Sequence, residues 1–458
     1  MCAMCSMRLT PLLLLVAFCH VSSSSQRSNS STSLSSISSL GNLRRSDDRA
    51  KASNPRPSSH VFQEAMPYLQ TRDDVVKNAR VLSDVIHEVI FVIKQLNMKE
   101  LSRILHDVSD PLSVNYGQHL SRLEVSSLTS NPESLSLVSS FLEESGARIK
   151  SVTLDGDFVT CEAPISVWES LLNTEFYSFQ QKKLNGEYTH SIRAETYSVP
   201  AHLEAHVASI LNTIEMPYNE RGGESIFKEL TDDLRKTAEY GVVTPAKLNS
   251  VYNMTGSGSE KSTQAIFATI GQNVSPTDLT QFQTDHGLRV QGVDVINDHN
   301  SHAVCVKNAE LCSESNLDVQ YIMAASQKSP TTHWYTDQGF NAWLVAVSNS
   351  PKPPLVLSIS YGTEEKYISK SLHDAFNVVA LKLSVMGVTI FVSSGDDGVL
   401  SRNVRGGSVK SCRYVSDFPA ASQYVTAVGA TSVRLKLNHR FLSLFIFIIT
   451  SHVRLSIN

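Results

Sequence analysis

The chain has 458 residues, 41% hydrophobic and 18% charged, which is ample apolar material for roughly two to four domains. Its 40 Lys+Arg stand against 44 Asp+Glu, a formal charge of −4. That balance excludes the clustered basic surplus of a nucleic-acid binder, and the composition excludes collagen, coiled coil and multi-span membrane proteins. A soluble mixed protein is expected, with neither nucleic acid nor membrane as partner.

Residues 1–23 read as a secretory signal. Arg8 supplies the positive start, and Leu9 to Val21 is apolar but too short to span a bilayer comfortably. Its removal takes Cys2, Cys5 and Cys19, leaving Cys161, Cys305, Cys312 and Cys412. Cys305 and Cys312 flank a short polar loop and can close a small disulfide in an oxidising lumen. Zinc is not expected, because the only C-x-x-C pair leaves with the signal. Sequons at Asn29, Asn253 and Asn273 fit the same compartment, with Pro276 making the last the poorest acceptor.

From Ser22 to Ser39, twelve of eighteen residues are serine, so 24–58 is expected to be a disordered linker. A first globular unit is expected over 60–217. The spacing of Val75, Ala79, Leu82, Ile86, Val89 and Ile93 predicts an amphipathic helix, with more helix near Leu101 to Leu105. Asp110 to Leu120 is turn-rich. A helix (Ser134 to Ser145), strands (Ala147 to Val152, Phe158 to Glu162), a helix (Ile165 to Leu172) and a strand near Glu175 to Phe179 follow, an α/β pattern of the split βαβ kind. Residues 218–242 are charged, carry Gly222 and Gly223, and read as a cleavable linker.

The second unit begins near Thr244 and Pro245. Apolar runs at Ala265 to Gly271, Leu355 to Ser360 and Val388 to Val392 suit buried parallel strands, as do Val290 to Ile296 and Val425 to Val428. Helices are expected at Pro276 to His286, Glu314 to Ala325, Phe340 to Val347 and Ser369 to Leu383. This βαβαβ order predicts a doubly wound parallel sheet with its site at the carboxyl ends of the strands. From Arg434 onward no turn chemistry and no period are visible, and losing further strands would leave Leu355–Ile359 and Val388–Val392 exposed.

Glu314 and Asp318 stand four apart on a predicted helix, so both carboxylates share a face and one pKa should rise. Such a pair suits general base work in an acidic compartment, although paired acids on a helix are commonly a solvated face. Asp396 follows a buried strand in the turn Ser393-Ser394-Gly395-Asp396-Asp397-Gly398, where functional groups of α/β sheets often sit. His299 and His302 offer a subtilisin-type histidine or a two-histidine metal site, but no glycine follows His299 and no third ligand is near.

Several stretches, in order, resemble the sedolisins, the acid serine-carboxyl peptidases, on the tripeptidyl-peptidase branch. DPLSVNYGQHLS and YSVP resemble the activation domain. TPAKLNSVYN, ESNLDVQYIMAA, LSISYGTEE, FVSSGDDG and FPAASQYVTAVGATS resemble the peptidase domain. The resemblance implies a subtilisin-like doubly wound sheet, incomplete in this chain, over residues 243–433, preceded by a ferredoxin-like activation domain. It implies Glu314 as general base, Asp318 as the acid coupled to it, and Asp396 lining the oxyanion hole. It places Ser358, Ser360 and Gly362 beside bound peptide, and makes the activation domain an intramolecular inhibitor of cleavage of peptide or protein substrates.

The Ser-Gly-Thr-Ser motif that carries the family's nucleophile does not occur in the sequence, and Ser432 matches an upstream motif. The family's calcium site would also lie beyond residue 458, and residues 434–458 match nothing in the family. The expectation is a C-terminally truncated zymogen, inactive as it stands, in the lysosome or outside the cell. The alternative is a secreted non-catalytic inhibitor or folding partner. Expressed in a eukaryotic host, the chain is predicted to carry glycan at Asn253, read as a mobility shift on glycosidase treatment that Asn253→Gln abolishes.

Overall fold

The computed structural model describes residues 60–66, 75–182, 188–216, 243–396, 415–437 and 440–449. The expected signal, the serine-rich linker and the cleavable linker at 218–242 lie outside the described residues.

The expected helix over 75–93 is instead two strands, β2 (Val75–Arg80) and β3 (Ile86–Ile93), after β1 (His60–Ala65). In β3, Val89, Phe91 and Ile93 point into one core, while Val92 joins another with Ile90 packed against it. A run that is apolar on both faces shows no period-2 alternation, so spacing alone cannot tell it from a buried helix. Its β-branched and aromatic residues prefer the strand.

Three helices follow: α1 (Met98–Ser109), α2 (Arg122–Thr129) and α3 (Pro132–Glu144). Ser121 and Glu124 form a reciprocal capping box at α2, and Asn131 caps α3 ahead of Pro132. Then come β4 (Arg148–Val152), β5 (Phe158–Pro164), α4 (Ile165–Leu172), β6 (Phe176–Lys182), β7 (Tyr188–Ala194), β8 (Thr196–Pro200) and β9 (Val207–Leu211). The central sheet is antiparallel in the order β4-β5-β3-β9; β2, β6 and β7 make a second sheet, and β1 pairs with β8.

The second part contains α5 (Pro245–Tyr252), β10 (Gln264–Ala268), α6 (Pro276–Asp285), β11 (Asp294–Ile296), α7 (His302–Lys307), α8 (Ser313–Ala325) and β12 (Thr331–Tyr335). It continues through α9 (Gly339–Ser348), β13 (Val356–Ile359), β14 (Thr363–Glu364), α10 (Lys370–Val385), β15 (Thr389–Ser393), β16 (Asp417–Phe418), β17 (Thr426–Leu437) and β18 (Arg440–Ile449). Seven strands form one sheet in the order β11-β12-β10-β13-β15-β17-β18, parallel from β11 to β17.

The tail, in which neither turn chemistry nor a period is visible, pairs antiparallel with β17 from Val428↔Ile449 to Leu437↔Arg440. With β17 beside β15, the feared exposure is not seen. Leu357, Ile359, Ile390 and Val392 are buried, and Leu355 alone of these is exposed. Asn253 is exposed at the left-handed end of α5, whereas Asn273 is buried and donates to the Gly271 carbonyl, 2.9 Å. Asn29 and Cys412 lie outside the described residues. Cys161 is buried in the first core, and burial pushes its thiol up to about 12, which leaves it unreactive.

One face of the β4-β5-β3-β9 sheet packs on its own helices, and the other meets the second part. Val92, Phe158 and Leu211 share a core with Phe376, Val379, Ala380 and Leu383 of α10. Beside this apolar contact sits Lys382, which has no exposed surface. Its ammonium donates to Asp157 Oδ2 at 2.9 Å and Gln95 Oε1 at 2.7 Å, with Asp155 Oδ2 at 4.0 Å. Arg122 faces Asp155 at 3.6 Å and donates to the Ser350 carbonyl at 2.8 Å. Glu64 reaches across from β1 to accept from the first backbone N–H groups of α10, 2.6 Å from Lys370 N. Removing one partner of a buried pair strands the other charge. Lys382→Ala is therefore predicted to lower stability by ~3–5 kcal/mol, read from urea denaturation, with Lys382→Met combined with Asp157→Asn recovering most of it.

Candidate active site

The parallel sheet ends its central strands β10, β13 and β15 on one side, and the acids gather there. After β10 the chain makes a tight turn: Gln272 N donates to Thr269 O at 3.0 Å, while Ile270 and Gly271 take positive φ of 55° and 70°. Tyr335 OH accepts from Gly271 N at 2.9 Å and pins the turn to β12. The start of α8 lies next to it. Its cap position, Cys312, offers no side-chain hydrogen bond, because its sulfur is joined to Cys305 in a disulfide.

Glu314 and Asp318 follow on the first turns of α8, one above the other by the i, i+4 relation. Ser360, just past β13, donates its hydroxyl to Asp318 Oδ1 at 2.8 Å. Asp396 stands in the turn after β15 and is close enough that its charge bears on Glu314. Removal from water is the largest influence on Glu314, followed by the Asp318 charge and then Asp396, and all three push its carboxyl far above the ordinary value. Burial raises Asp318 as well, against the Ser360 hydroxyl, which favours the charged form. Two acids this close do not ionise independently, so the pair holds a proton where isolated carboxyls have lost theirs.

Ser358 lies inside β13, opposite Ile266 of β10 on one side and Phe391 of β15 on the other. Ser360 and Gly362 follow the paired run. A Cβ on Gly362 would stand 3.2 Å from Phe418 O, and one on Gly395, at φ +84°, would stand 2.6 Å from Asp417 Oδ2. Both turns thus close around the β16 segment, and a side chain at Gly395 would be strained at its positive φ and would displace the Asp417 carboxylate.

The histidine segment takes no part in this group. Asn297, Asp298 and His299 run through three left-handed conformations, and His299 stacks on Tyr335 with centroids 3.3 Å apart. His302 shares its Nδ1 with Ser275 Oγ, 2.9 Å, at the cap of α6.

Residues 73–216 match the family model described as "Pro-kumamolisin, activation domain". Over 368 residues the chain is 30% identical to tripeptidyl-peptidase 1 of Rattus norvegicus, covering 75% of this chain and 61% of that protein. Tripeptidyl-peptidase 1 of Homo sapiens aligns with the same identity, length and coverage. The chain is thus similar to the tripeptidyl-peptidases along three quarters of its length and carries the activation-domain match ahead of the acid cluster. The probable tripeptidyl-peptidase SED3 of Trichophyton verrucosum is 28% identical over 367 residues, 74% of this chain and 61% of that protein. A solved structure of Pseudomonas sedolisin, complexed with two molecules of pseudo-iodotyrostatin, is 22% identical and covers 43% of this chain and 55% of that one, with a TM-score of 0.34. The chain spans about three fifths of the length of the curated relatives it matches, 61% in each case above.

Two residues that hold the acid-bearing helix escape the sequence reading. Gln272 follows a strand in a loop and carries no motif. His333 lies on β12, a strand missing from the sequence reading, although the β-branched and aromatic run Thr331 to Tyr335 after Pro330 carries its signal. It is fully buried, bonds Ser315 Oγ at 2.8 Å, and is held by burial down to about 4, so it stays neutral.

A carboxyl raised in the native state binds its proton more tightly there than in the unfolded chain. The stability it lends is fully present below the unfolded value and is lost as pH rises through the native one. Glu314→Gln and Asp318→Asn are each predicted to raise the melting temperature at pH 7.5, by roughly 2–4 °C per kcal/mol relieved. The gain should vanish as pH falls toward the ordinary carboxyl range; a scan of melting temperature against pH that shows no gain at neutrality contradicts the arrangement.

Proposed function

We propose that this chain is the zymogen of an acid serine-carboxyl peptidase of the tripeptidyl-peptidase kind, acting in proteolysis of peptide or protein substrates. The observation that carries the reading is the gathering of Glu314, Asp318 and Asp396 at the carboxyl ends of parallel strands, with Glu314 raised by both of the others. We take the β4-β5-β3-β9 sheet with its crossing helices as the ferredoxin-like activation domain, and the parallel sheet as subtilisin-like. The peptidase part starts near residue 243, and the activation domain inhibits it by docking on α10 until the 218–242 linker is cut.

In this reading Glu314 is the general base that draws the proton from a serine hydroxyl. Asp318, held by Ser360, shares that proton and keeps it near. Asp396 meets the oxyanion. A carboxylate can only accept hydrogen bonds, so Asp396 serves there in its protonated form, which an acidic medium supplies. Ser360 and Gly362 flank the acyl side of the peptide, with backbone groups suited to an added strand. The secretory route, ending in the lysosome or outside the cell, is supported by the Leu9–Val21 segment and the Cys305–Cys312 disulfide. Among the described residues no helix is long and apolar enough to cross a membrane.

No group of three or more His, Cys, Asp or Glu that could hold a metal ion occurs among the described residues. The calcium that the family resemblance implies would have its site beyond residue 458, and no step runs through it. The Ser-Gly-Thr-Ser motif is likewise not among the 458 residues. Turnover in this reading requires the segment of the relatives that carries it. The 458-residue chain is predicted to show no acid-dependent peptide hydrolysis, and the chain continued after Val433 by that segment of a relative to acquire it. In the continued chain Glu314→Gln, Asp318→Asn and Asp396→Asn should each lower kcat by ~10²–10⁴. Hydrolysis by the 458-residue chain that Ser432→Ala abolishes would overturn the assignment.

A further inference from the structure

Helix α8 has to present Glu314 at its second residue, in the turn where backbone N–H groups have no partner within the helix. The usual remedy is a Ser, Thr, Asp or Asn at the cap, but that position is taken by Cys312 and its sulfur by the disulfide. A residue from another element supplies the acceptor instead. Gln272, 6% exposed, turns its Oε1 to Glu314 N at 3.1 Å and Ser315 N at 3.4 Å. Its amide donates from the other end to Glu310 O at 2.8 Å, which fixes the side chain's orientation. Asn273 N also donates to Leu311 O at 2.7 Å, so the β10 turn and the approach to α8 are joined at two successive residues.

From this geometry we infer that Gln272 is a positioning residue for the reaction, acting through the backbone of Glu314 as a cap supplied from the end of β10. It rests on the reading of Glu314 as general base. The rigid turn at Ile270 and Gly271, itself tied to Tyr335, sets where Gln272 stands, and Gln272 sets where the first turn of α8 begins. On the far side, Ser315 is bonded to His333. The first turn is therefore gripped from β10 and from β12, the two strands next to each other in the sheet. Glu314 is left facing Asp318 and Asp396, with no freedom to swing its backbone toward water.

The test is a carboxyl titration of Glu314 in the full 458-residue chain by ¹³C NMR, the resonance assigned by its loss in Glu314→Gln. Gln272→Met keeps the shape and removes the acceptor; the turn loosens, the carboxylate gains water, and the midpoint is expected to fall by about one pH unit. Gln272→Glu keeps an acceptor and adds a negative charge beside the turn, so its midpoint is expected to rise. Opposite shifts support the role. Unchanged midpoints in both variants, or a fall in both, overturn it. If Gln272→Met gives no cooperative melt, Gln272→Glu decides alone, and an unchanged or lower midpoint is the overturning result. If Glu314 of the unaltered chain titrates as an ordinary carboxyl, the peptidase reading fails, while the direction of the two shifts still judges the Gln272 contact.

Discussion

A sheet that is apolar on both faces has to be covered on both faces. Strand β3 presents Val89, Phe91 and Ile93 to one core and Val92 to the other, so its own helices can satisfy only half of it. The second half is met by α10 of the following part, and the two parts of the chain share one hydrophobic cluster. Everything polar at that junction is subordinate to this contact. Lys382 is buried because apolar neighbours surround it, and it is tolerated because Asp157 and Gln95 receive its protons. Such a pair adds little net attraction after desolvation, but it penalises any docking that separates its members. It makes the junction specific where the apolar face alone would be permissive.

The same α10 helix packs against α9 and the parallel sheet, so docking of the first part and support of the acid cluster run through shared elements. The acids sit where the parallel strands end, and their environment works against their charge. Buried imidazoles are driven the other way: His87 in the first part and His333 in the second are both held by burial down to about 4. Between neutrality and that value, acid relieves the carboxyls and strains the histidines. The pH dependence of stability thus contains opposed contributions from these carboxyls and these imidazoles.

Regular elements were legible where one face of a segment met water or a terminus carried its own chemistry. Ser369 before α10 and Ser275 with Pro276 at α6 announce helix starts that the structure contains, whereas α3 starts at Pro132, two residues ahead of the expected Ser134. The region 75–93 was not legible as strands, because β3 is buried on both sides. The tail was not legible because Arg440–Ile449 finds its order only through its partner β17. Strands β8 and β9 likewise owe their place to pairing with β1 and β3.

At the site, the sequence by itself determined the chemistry available: two acids four residues apart on a helix, and an aspartate in a turn after a buried strand. Spacing along one helix is local, so Glu314 and Asp318 had to share a face wherever the helix lay. Only the tertiary structure decided that Ser360 would hold Asp318, that Asp396 would bear on Glu314, and that Gln272 would cap the helix in place of Cys312. Those relations join residues 42 positions apart for Ser360 with Asp318 and for Gln272 with Glu314, and 82 apart for Asp396 with Glu314, through the order of parallel strands. A burial that shifts a carboxyl, or a side chain that caps a distant helix, is a property of what the fold brings alongside, and no local pattern encodes it.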